Sequence, residues 1–265
     1  TLTPEWIKET NYFFRLSRYA DQLYQLIESD QLLVLPETRK KEALKFISAG
    51  LLDFSISRSH SRAHGWGIPV PGDPEQVIYV WFDALSNYIT ALDYGTEDTL
   101  YQQYWLNNSQ RVHVIGKGIS RFHVIYWPAM LLSAGVPLPS ELLVHGFLTN
   151  EGRRMSKTLG TGVAPAPLVE SWGVDAVRYW LLREVTPTGD ADYTETGFAR
   201  AYAADLADQL GNLLQRTVSM IHRYREGAVP GIAAEATTPL PSAASRLPAA
   251  LHRAIQSSEG GSDLS

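Results

Sequence analysis

The sequence predicts an α/β fold built around a parallel sheet. Residues 77–82, 111–116 and 142–148 are short runs rich in β-branched and aromatic residues, as buried strands are. Helical sequence separates these runs, and residues 122–133 form the clearest helix among them. Such alternation of strand and helix is typical of a parallel sheet, in which the ligand-binding loops follow the carboxyl ends of the strands.

Further helices are predicted before and after these strands in the sequence, because apolar residues recur there at helical spacing. They cover residues 19–29, 36–49, 166–172, 175–184 and 197–225. Glycine and proline in residues 59–75 predict a loop, and residues 186–192 predict a domain boundary. Residues 229–265 lose the helical pattern and gain Ala, Pro, Ser and Gly, so a mobile tail is expected there.

The composition restricts the classes of function. The chain has 265 residues, of which 45% are hydrophobic and 19% charged, as in globular proteins. Its formal net charge of −5 means that any contact with nucleic acid must come from a local basic patch. Cysteine is absent, which excludes disulfides, thiolate chemistry and Cys-ligated zinc within these residues.

A cytoplasmic protein without a membrane segment is expected. Charged residues Glu5, Lys8 and Glu9 argue against a signal peptide at the start. The most apolar stretch, residues 124–134, is about half as long as the roughly 20 residues that span a bilayer.

Two loops after predicted strands could bind phosphate. Residues 149–160 place two arginines and a lysine between Gly152 and Gly160, which suits a mobile phosphate clamp, although an ordinary basic surface loop is equally compatible. Residues 116–123 form a glycine-containing turn into a helix, where backbone N–H groups can bind an anion or a nucleotide. Alone, that turn is more typical of an ordinary connection.

Residues 81–88 and the pair His60/His64 are further candidates for binding sites. Residues 81–88 combine aromatic and small side chains, which could form the wall of an apolar pocket or simply fill the core. His60 and His64 are four residues apart but lack a supporting carboxylate, so a metal site is not expected there.

Taken in order, these loops resemble motifs of the class I aminoacyl-tRNA synthetases, and specifically of the methionyl-tRNA synthetase family. Residues 153–158 resemble the KMSKS loop, and residues 144–149 resemble the segment that leads into it. Residues 80–88 are similar to the family's methionine-pocket strand. The remaining similar segments are 55–58, 65–73, 113–131, 172–179 and 210–217, of which the last resembles the start of the anticodon-binding helix bundle.

The resemblance implies the second half of a class I synthetase Rossmann-like parallel sheet, followed by an α-helical anticodon-domain segment. Residues 1–190 would belong to the catalytic domain, residues 191–228 to the helical domain and residues 229–265 to the tail. The implied activity is ATP-dependent activation of methionine, with Mg²⁺ as part of the ATP complex, and transfer of methionine to tRNA(Met).

The resemblance implies a role for each residue of this sequence that matches a functional position in the family's motifs. Trp81, Ala84, Tyr88 and His123 would contact the methionine side chain, and Asn212 and Arg216 would contact the anticodon. Arg154, Ser156 and Lys157 would be catalytic, with Lys157 stabilising the charge that moves to pyrophosphate. The implied ATP-binding residues are Gly116, Lys117, His145, Met155 and Lys157.

The sequence departs from the family pattern at several points. Arg154 and Thr158 replace the first Lys and the last Ser of the KMSKS motif, and Gly118 stands where the family usually has an Asp that contributes to adenosine-ribose binding. A HIGH motif is not found; residues 64–67 are the nearest match, in a different context. An amino-terminal half that carries the HIGH motif, together with a zinc-binding Cys insertion, is therefore an expected partner.

Two other functions are compatible with the motifs. One is a diverged synthetase-like ligase that activates an amino acid for natural-product chemistry, such as hydrazine formation; Gly118 would fit this altered use. The other is a truncated, non-catalytic module that binds tRNA or an adenylate.

Overall fold

The computed structural model describes residues 8–96, 99–156 and 159–229, and the chain divides into two units between Val144 and His145. The helices described in the first unit are α1 (Ala20–Glu28), α2 (Glu37–Ser48), α3 (Val80–Thr90), α4 (Thr99–Tyr101) and α5 (Trp127–Ala134). A π-helical turn, Gln102–Leu106, follows α4, and a second one, Phe122–Tyr126, precedes α5. Short 3-10 turns lie at Leu16–Tyr19 and Lys117–Ile119.

The strands of this unit form small sheets. They are β1 (Phe13–Phe14), β2 (Leu33–Leu35), β3 (Phe54–Ser55), β4 (Ser57–Ser59), β5 (Pro69–Val70), β6 (Asp73–Ile78), β7 (Val112–Gly116) and β8 (Glu141–His145), which reaches the unit boundary. In one sheet β8 lies between β2 and β7, and β2 runs parallel to β8 with Leu33 opposite Glu141. Strands β4, β6 and β5 form an antiparallel sheet, and β1 pairs with β3.

Helical periodicity explains how the first unit is held together. Leu23 and Ile27 are four residues apart on α1 and are fully buried. On α2, Ala43 and Ile47 have the same spacing and pack in the same core, where they meet β2 and β8. The helices predicted over residues 19–29, 36–49 and 122–133 are confirmed.

The strand predicted over residues 77–82 is wrong. Strand β6 ends at Ile78, and α3 begins at Val80. Residues that follow continue at helical spacing, with Leu85 and Ile89 buried, and a short apolar run cannot by itself distinguish a strand from a buried helix. Residues 59–75, predicted as a loop, also contain β5 and the start of β6.

The strand predicted over residues 142–148 is interrupted at Gly146. Strand β8 ends at His145, and β9 (Leu148–Asn150) begins in the second unit. Gly146 is buried, and a Cβ atom on it would lie 1.9 Å from the carbonyl oxygen of Gly189. The chain at Gly146 therefore passes against another backbone segment, an approach that only glycine permits.

The second unit combines β9 with two more strands and a set of helices. Strand β10 (Arg153–Arg154) is antiparallel to β9, and β11 (Ala191–Tyr193) is parallel to it. The helices described here are α6 (Pro165–Trp172), α7 (Val174–Glu184), α8 (Glu195–Ala201) and α9 (Asn212–Arg225), with a π-helical segment, Tyr202–Gly211, between α8 and α9. They confirm the helices predicted over residues 166–172, 175–184 and 197–225.

Aromatic packing forms the core of the second unit. The ring of Trp180 meets the rings of Tyr193 and Phe198 at centroid distances of 5.3 and 5.9 Å. Thr194 caps α8, since its hydroxyl oxygen accepts a hydrogen bond from the backbone N–H of Gly197.

Two sequence-based expectations concern the ends of the domains. The domain bounds at residues 190 and 228 stay predictions; β11 begins inside the boundary segment predicted over residues 186–192. Residues 230–265, nearly all of the predicted tail, lie outside the described residues. None of the helices in the described part of the chain has both the length and the apolar character needed to cross a bilayer.

Candidate active site

One face of α3 carries three of the predicted pocket residues. Trp81, Ala84 and Tyr88 follow one another at intervals of three and four residues, so they share a face of the helix. Ala84 is exposed, and Trp81 and Tyr88 are half-buried. The Trp81 ring stacks on the ring of Phe122 at 4.2 Å between centroids, with 11° between the planes. This face therefore presents two aromatic walls with a small residue between them.

His123 meets this face through Tyr88. The Tyr88 hydroxyl oxygen lies 2.8 Å from His123 Nε2, and His123 Nδ1 lies 3.0 Å from the carbonyl oxygen of Ile119. A carbonyl oxygen only accepts, so Nδ1 carries the proton and Nε2 accepts from the Tyr88 hydroxyl. His123 belongs to the π-helical turn Phe122–Tyr126, an irregularity often found at functional sites.

A second histidine, His113, packs against Tyr88 and was not among the predicted site residues. Its ring centroid lies 4.2 Å from that of Tyr88, at a tilt of 30°. Its Nε2 accepts a hydrogen bond of 3.1 Å from the indole N–H of Trp127. Strand alternation was the signal that could have found it, because His113 and Ile115 are buried whereas Val112 and Val114 are exposed.

Burial keeps this cluster uncharged at neutral pH. Burial, together with a smaller effect of the neighbouring His123, lowers the pKa of His113 to about 4. Burial also lowers the pKa of His123, against the opposing effect of its hydrogen bond to the Ile119 carbonyl. The pKa of Tyr88 is raised by burial. A neutral aromatic cluster of this kind suits an uncharged, polarizable side chain such as a thioether.

The predicted nucleotide turn follows β7 directly. Gly116 ends the strand, and Lys117 begins the 3-10 turn that includes Gly118. The Ser120 hydroxyl donates to the Lys117 carbonyl oxygen at 3.1 Å, which closes the turn. Gly116 and Lys117 therefore lie at the carboxyl end of a sheet strand, where ligands of α/β proteins bind.

In the second unit, Thr161 closes the base of the basic loop. Its hydroxyl donates to the Arg154 carbonyl oxygen at 2.9 Å and accepts from the Ser156 N–H at 2.9 Å. The Arg154 guanidinium lies 5.2 Å from the centroid of the Phe147 ring, and Met155 packs against the core of this unit. Lys157 and Thr158 lie outside the described residues.

The other predicted residues of the second unit lie in two places. His145 is exposed at the end of β8, and its Nδ1–H donates to the Gly146 carbonyl oxygen at 2.7 Å. Asn212 and Arg216 are exposed and lie one turn apart on α9, so they share a face of that helix.

In the described residues no group of three or more His, Asp or Glu side chains could hold a metal ion.

Solved structures similar to this chain place it in a class of proteins. The structure of Mycobacterium tuberculosis methionyl-tRNA synthetase bound by methionyl-adenylate matches with a TM-score of 0.82 and 42% identity, over 97% of this chain and 49% of that one. The apo form of that enzyme matches with a TM-score of 0.79 and 39% identity, over the same shares of the two chains. The fold is that of a class I aminoacyl-tRNA synthetase, which confirms the predicted fold class.

The sequence identifies the family within that class. The family model described as "tRNA synthetases class I (M)" matches residues 1–218, so the chain belongs to this family. The methionine–tRNA ligase of Brucella suis is 49% identical over 229 residues, and that of a Nostoc species is 50% identical over 224 residues. These matches cover 86% and 83% of this chain, but only 43% and 41% of the relatives. The chain thus spans less than half the length of the curated relatives it matches.

Proposed function

We propose that this chain provides the methionine pocket and the phosphate-binding loop of a methionyl-tRNA synthetase. In the proposed reaction the methionine carboxylate attacks the α-phosphorus of ATP, which forms methionyl-adenylate and releases pyrophosphate. The terminal ribose hydroxyl of tRNA(Met) then attacks the adenylate carbonyl carbon and releases AMP. The observation that carries the proposal is the hydrogen bond between His123 and Tyr88, which lies on the same face of α3 as Trp81.

The pocket selects methionine by shape and polarizability. Trp81, Ala84 and Tyr88 form one wall, and His123 closes it from the π-helical turn. Since the Tyr88 hydroxyl donates to His123 Nε2, neither this donor nor this acceptor is left free for a polar side chain. A thioether adapts well to such aromatic surroundings.

The proposal assigns the ATP contacts by family motif. They are Gly116 and Lys117, which follow β7, together with His145, Met155 and Lys157. Lys157, with Arg154 and Ser156, balances the negative charge that moves to pyrophosphate in the transition state. Magnesium enters with ATP as the substrate complex, and this chain contributes no zinc ligands because it has no cysteine.

The remaining assignments follow from the same family. Residues 1–190 form the catalytic part, residues 191–228 begin the anticodon-binding helices, and residues 229–265 are the tail. Asn212 and Arg216, exposed on one face of α9, contact the anticodon of tRNA(Met), as polar side chains do with unstacked bases. The reaction takes place in the cytoplasm, and a segment that carries the HIGH motif completes the nucleotide site.

Methionine-dependent exchange of pyrophosphate into ATP by the intact protein tests this function. Tyr88→Phe removes the hydroxyl that holds His123, so the KM for methionine should rise while the KM for ATP stays constant. Tyr24→Phe is the matched control, because the Tyr24 hydroxyl makes an exposed hydrogen bond to Glu28 on α1. Equal effects of the two variants would contradict the assignment of the pocket.

Gly118 favours one alternative, the ligase of natural-product chemistry. Without the carboxylate usual at this position, the ribose contact differs from that of the family. Exchange of pyrophosphate into ATP that depends on another amino acid and not on methionine would support this alternative. Binding of tRNA without any exchange, even after addition of an amino-terminal half, would support the non-catalytic module.

A further inference from the structure

His113 is held in one orientation by a buried hydrogen bond. The Trp127 indole N–H donates to His113 Nε2 at 3.1 Å, and the exposed fractions are 1% for Trp127 and 7% for His113. An indole N–H can only donate, so Nε2 is the acceptor and the ring proton of neutral His113 is on Nδ1. A bond between two buried partners fixes the plane of the imidazole, because neither partner has access to water as a substitute.

The fixed imidazole in turn supports Tyr88. The two ring centroids are 4.2 Å apart, closer than the 5.6 Å between Tyr88 and His123. Tyr88 also makes the 2.8 Å hydrogen bond that occupies His123 Nε2. The Tyr88 ring therefore contacts both histidines, one that packs against its face and one that accepts its hydroxyl proton, and the two imidazole centroids are 6.5 Å apart.

We propose that His113 is a positioning residue of the methionine pocket, which acts through the Tyr88 ring and does not touch the substrate. This inference rests on the proposed function. The Trp127 bond sets the plane of the imidazole, and the imidazole sets the position of the Tyr88 ring. The Tyr88 hydroxyl then donates to Nε2 of His123, whose ring proton is held on Nδ1 by the Ile119 carbonyl. His113 thus determines how well the pocket fits a methionine side chain without contributing to the contacts of ATP.

Two substitutions separate the ring of His113 from its hydrogen bond. His113→Gln keeps an acceptor for the Trp127 N–H but removes the ring beneath Tyr88. His113→Phe keeps a ring but leaves the indole N–H buried without an acceptor. In pyrophosphate exchange by the intact protein, His113→Gln should raise the KM for methionine roughly three- to tenfold, the factor expected for the loss of one aromatic pair. The KM for ATP should not change, and His113→Phe should affect stability more than the KM for methionine.

Nitrogen-15 spectra of the histidine side chains test the same chain of contacts without substrate. The wild-type protein should show His123 with its proton on Nδ1, held by the Ile119 carbonyl, and with Nε2 as a hydrogen-bond acceptor. In His113→Gln the Nε2 resonance should move downfield, towards that of a free acceptor nitrogen, because the Tyr88 hydroxyl no longer donates to it. His113→Phe should keep the wild-type Nε2 resonance. An Nε2 resonance of His123 that is unchanged in His113→Gln would overturn the proposal, even if the protein activates no methionine.

Ile89→Val serves as the control for a merely structural effect. Ile89 is adjacent to Tyr88 on α3 and buried in the same cluster, so its truncation loosens the core from a position about 100° away around the helix. It should lower the melting temperature and leave both the KM for methionine and the His123 Nε2 resonance as they are. If Ile89→Val shifts the KM for methionine as much as His113→Gln does, His113 is only a core residue. An absence of methionine-dependent exchange in the wild-type protein would instead refute the proposed function alone.

Discussion

Substitution of Gly146 by alanine should destabilise the second unit strongly. Gly146 lies between β8 and β9, where the chain crosses the backbone at residues 189 and 190. The added Cβ would lie 1.9 Å from the Gly189 carbonyl oxygen, 2.3 Å from its carbonyl carbon and 2.7 Å from the Asp190 nitrogen. All three are backbone atoms, so no side-chain rotation can relieve the contact.

The loss of unfolding free energy can be estimated from the displacement that the added Cβ atom requires. An ordinary contact needs about 3.4 Å, so the two segments must separate by about 1.5 Å at this crossing. Two hydrogen bonds cross at the same place: Phe147 N–H donates to Asp190 Oδ1 at 2.8 Å, and Ala191 N–H donates to the Phe147 carbonyl at 2.9 Å. Overpacking costs about 1–3 kcal/mol, and each strained hydrogen bond adds about 1 kcal/mol. The expected loss of unfolding free energy is therefore about 3–5 kcal/mol.

Urea unfolding followed by tryptophan fluorescence measures this loss, since Trp180 is buried in the core of the second unit. Gly162→Ala is the matched control: an added Cβ there meets nothing within 4 Å, and its φ lies outside the left-handed region. At such a site alanine stabilises by about 0.4–1 kcal/mol through the unfolded chain. If Gly146→Ala were within about 0.5 kcal/mol of the wild-type protein, the close backbone approach, and the explanation of the break between β8 and β9, would be wrong.

Three further predictions concern the candidate site. Because the pKa of His113 is lowered to about 4, the unfolded chain binds a proton between pH 6.5 and 4 that the folded chain excludes. The free energy of unfolding should therefore fall by up to about 3 kcal/mol as the pH drops through this window. Urea unfolding at a series of pH values should show this fall in the wild-type protein and not in His113→Phe. Lys157→Ala should slow adenylate formation far more than it weakens methionine binding, as rapid-quench kinetics and calorimetry would show; equal losses would refute its role in the transition state. Gly118→Asp should raise the rate of pyrophosphate exchange if the family carboxylate is needed, and an unchanged rate would mean that the glycine is neutral.

Local signals predicted most of the helices and fewer of the strands. Apolar residues at helical spacing, such as Leu23 and Ile27 on α1, are an intrinsic property of a segment, and the structure has helices at those places. The error at residues 77–82 arose because β-branched and aromatic residues occur in both strands and buried helices. The break at Gly146 depends on Gly189, 43 residues away, and no local pattern reports such an approach.

The candidate site shows the same division between local and tertiary information. The resemblance named Trp81, Tyr88 and His123, and the structure brings Tyr88 and His123 into hydrogen-bonding contact. Alternation along β7 could have placed His113 on the buried face. Its two partners, Tyr88 and Trp127, come from different helices, so its role beside Tyr88 emerges only when those helices pack.

The register of β7 connects the candidate pocket to the candidate nucleotide turn. His113 packs against Tyr88 from the middle of the strand, and Gly116 and Lys117 follow at its carboxyl end. A shift of one residue would turn His113 to the exposed face and displace the turn at the same time. Arg111 opposes this slip just before the strand: its N–H donates to the Ser140 hydroxyl at 2.8 Å, and its side-chain Nε–H donates to the Leu138 carbonyl at 2.8 Å. One anchored strand therefore sets the positions of the candidate pocket and of the candidate turn together, which gives a reason for tying down Arg111 by both its backbone and its side chain.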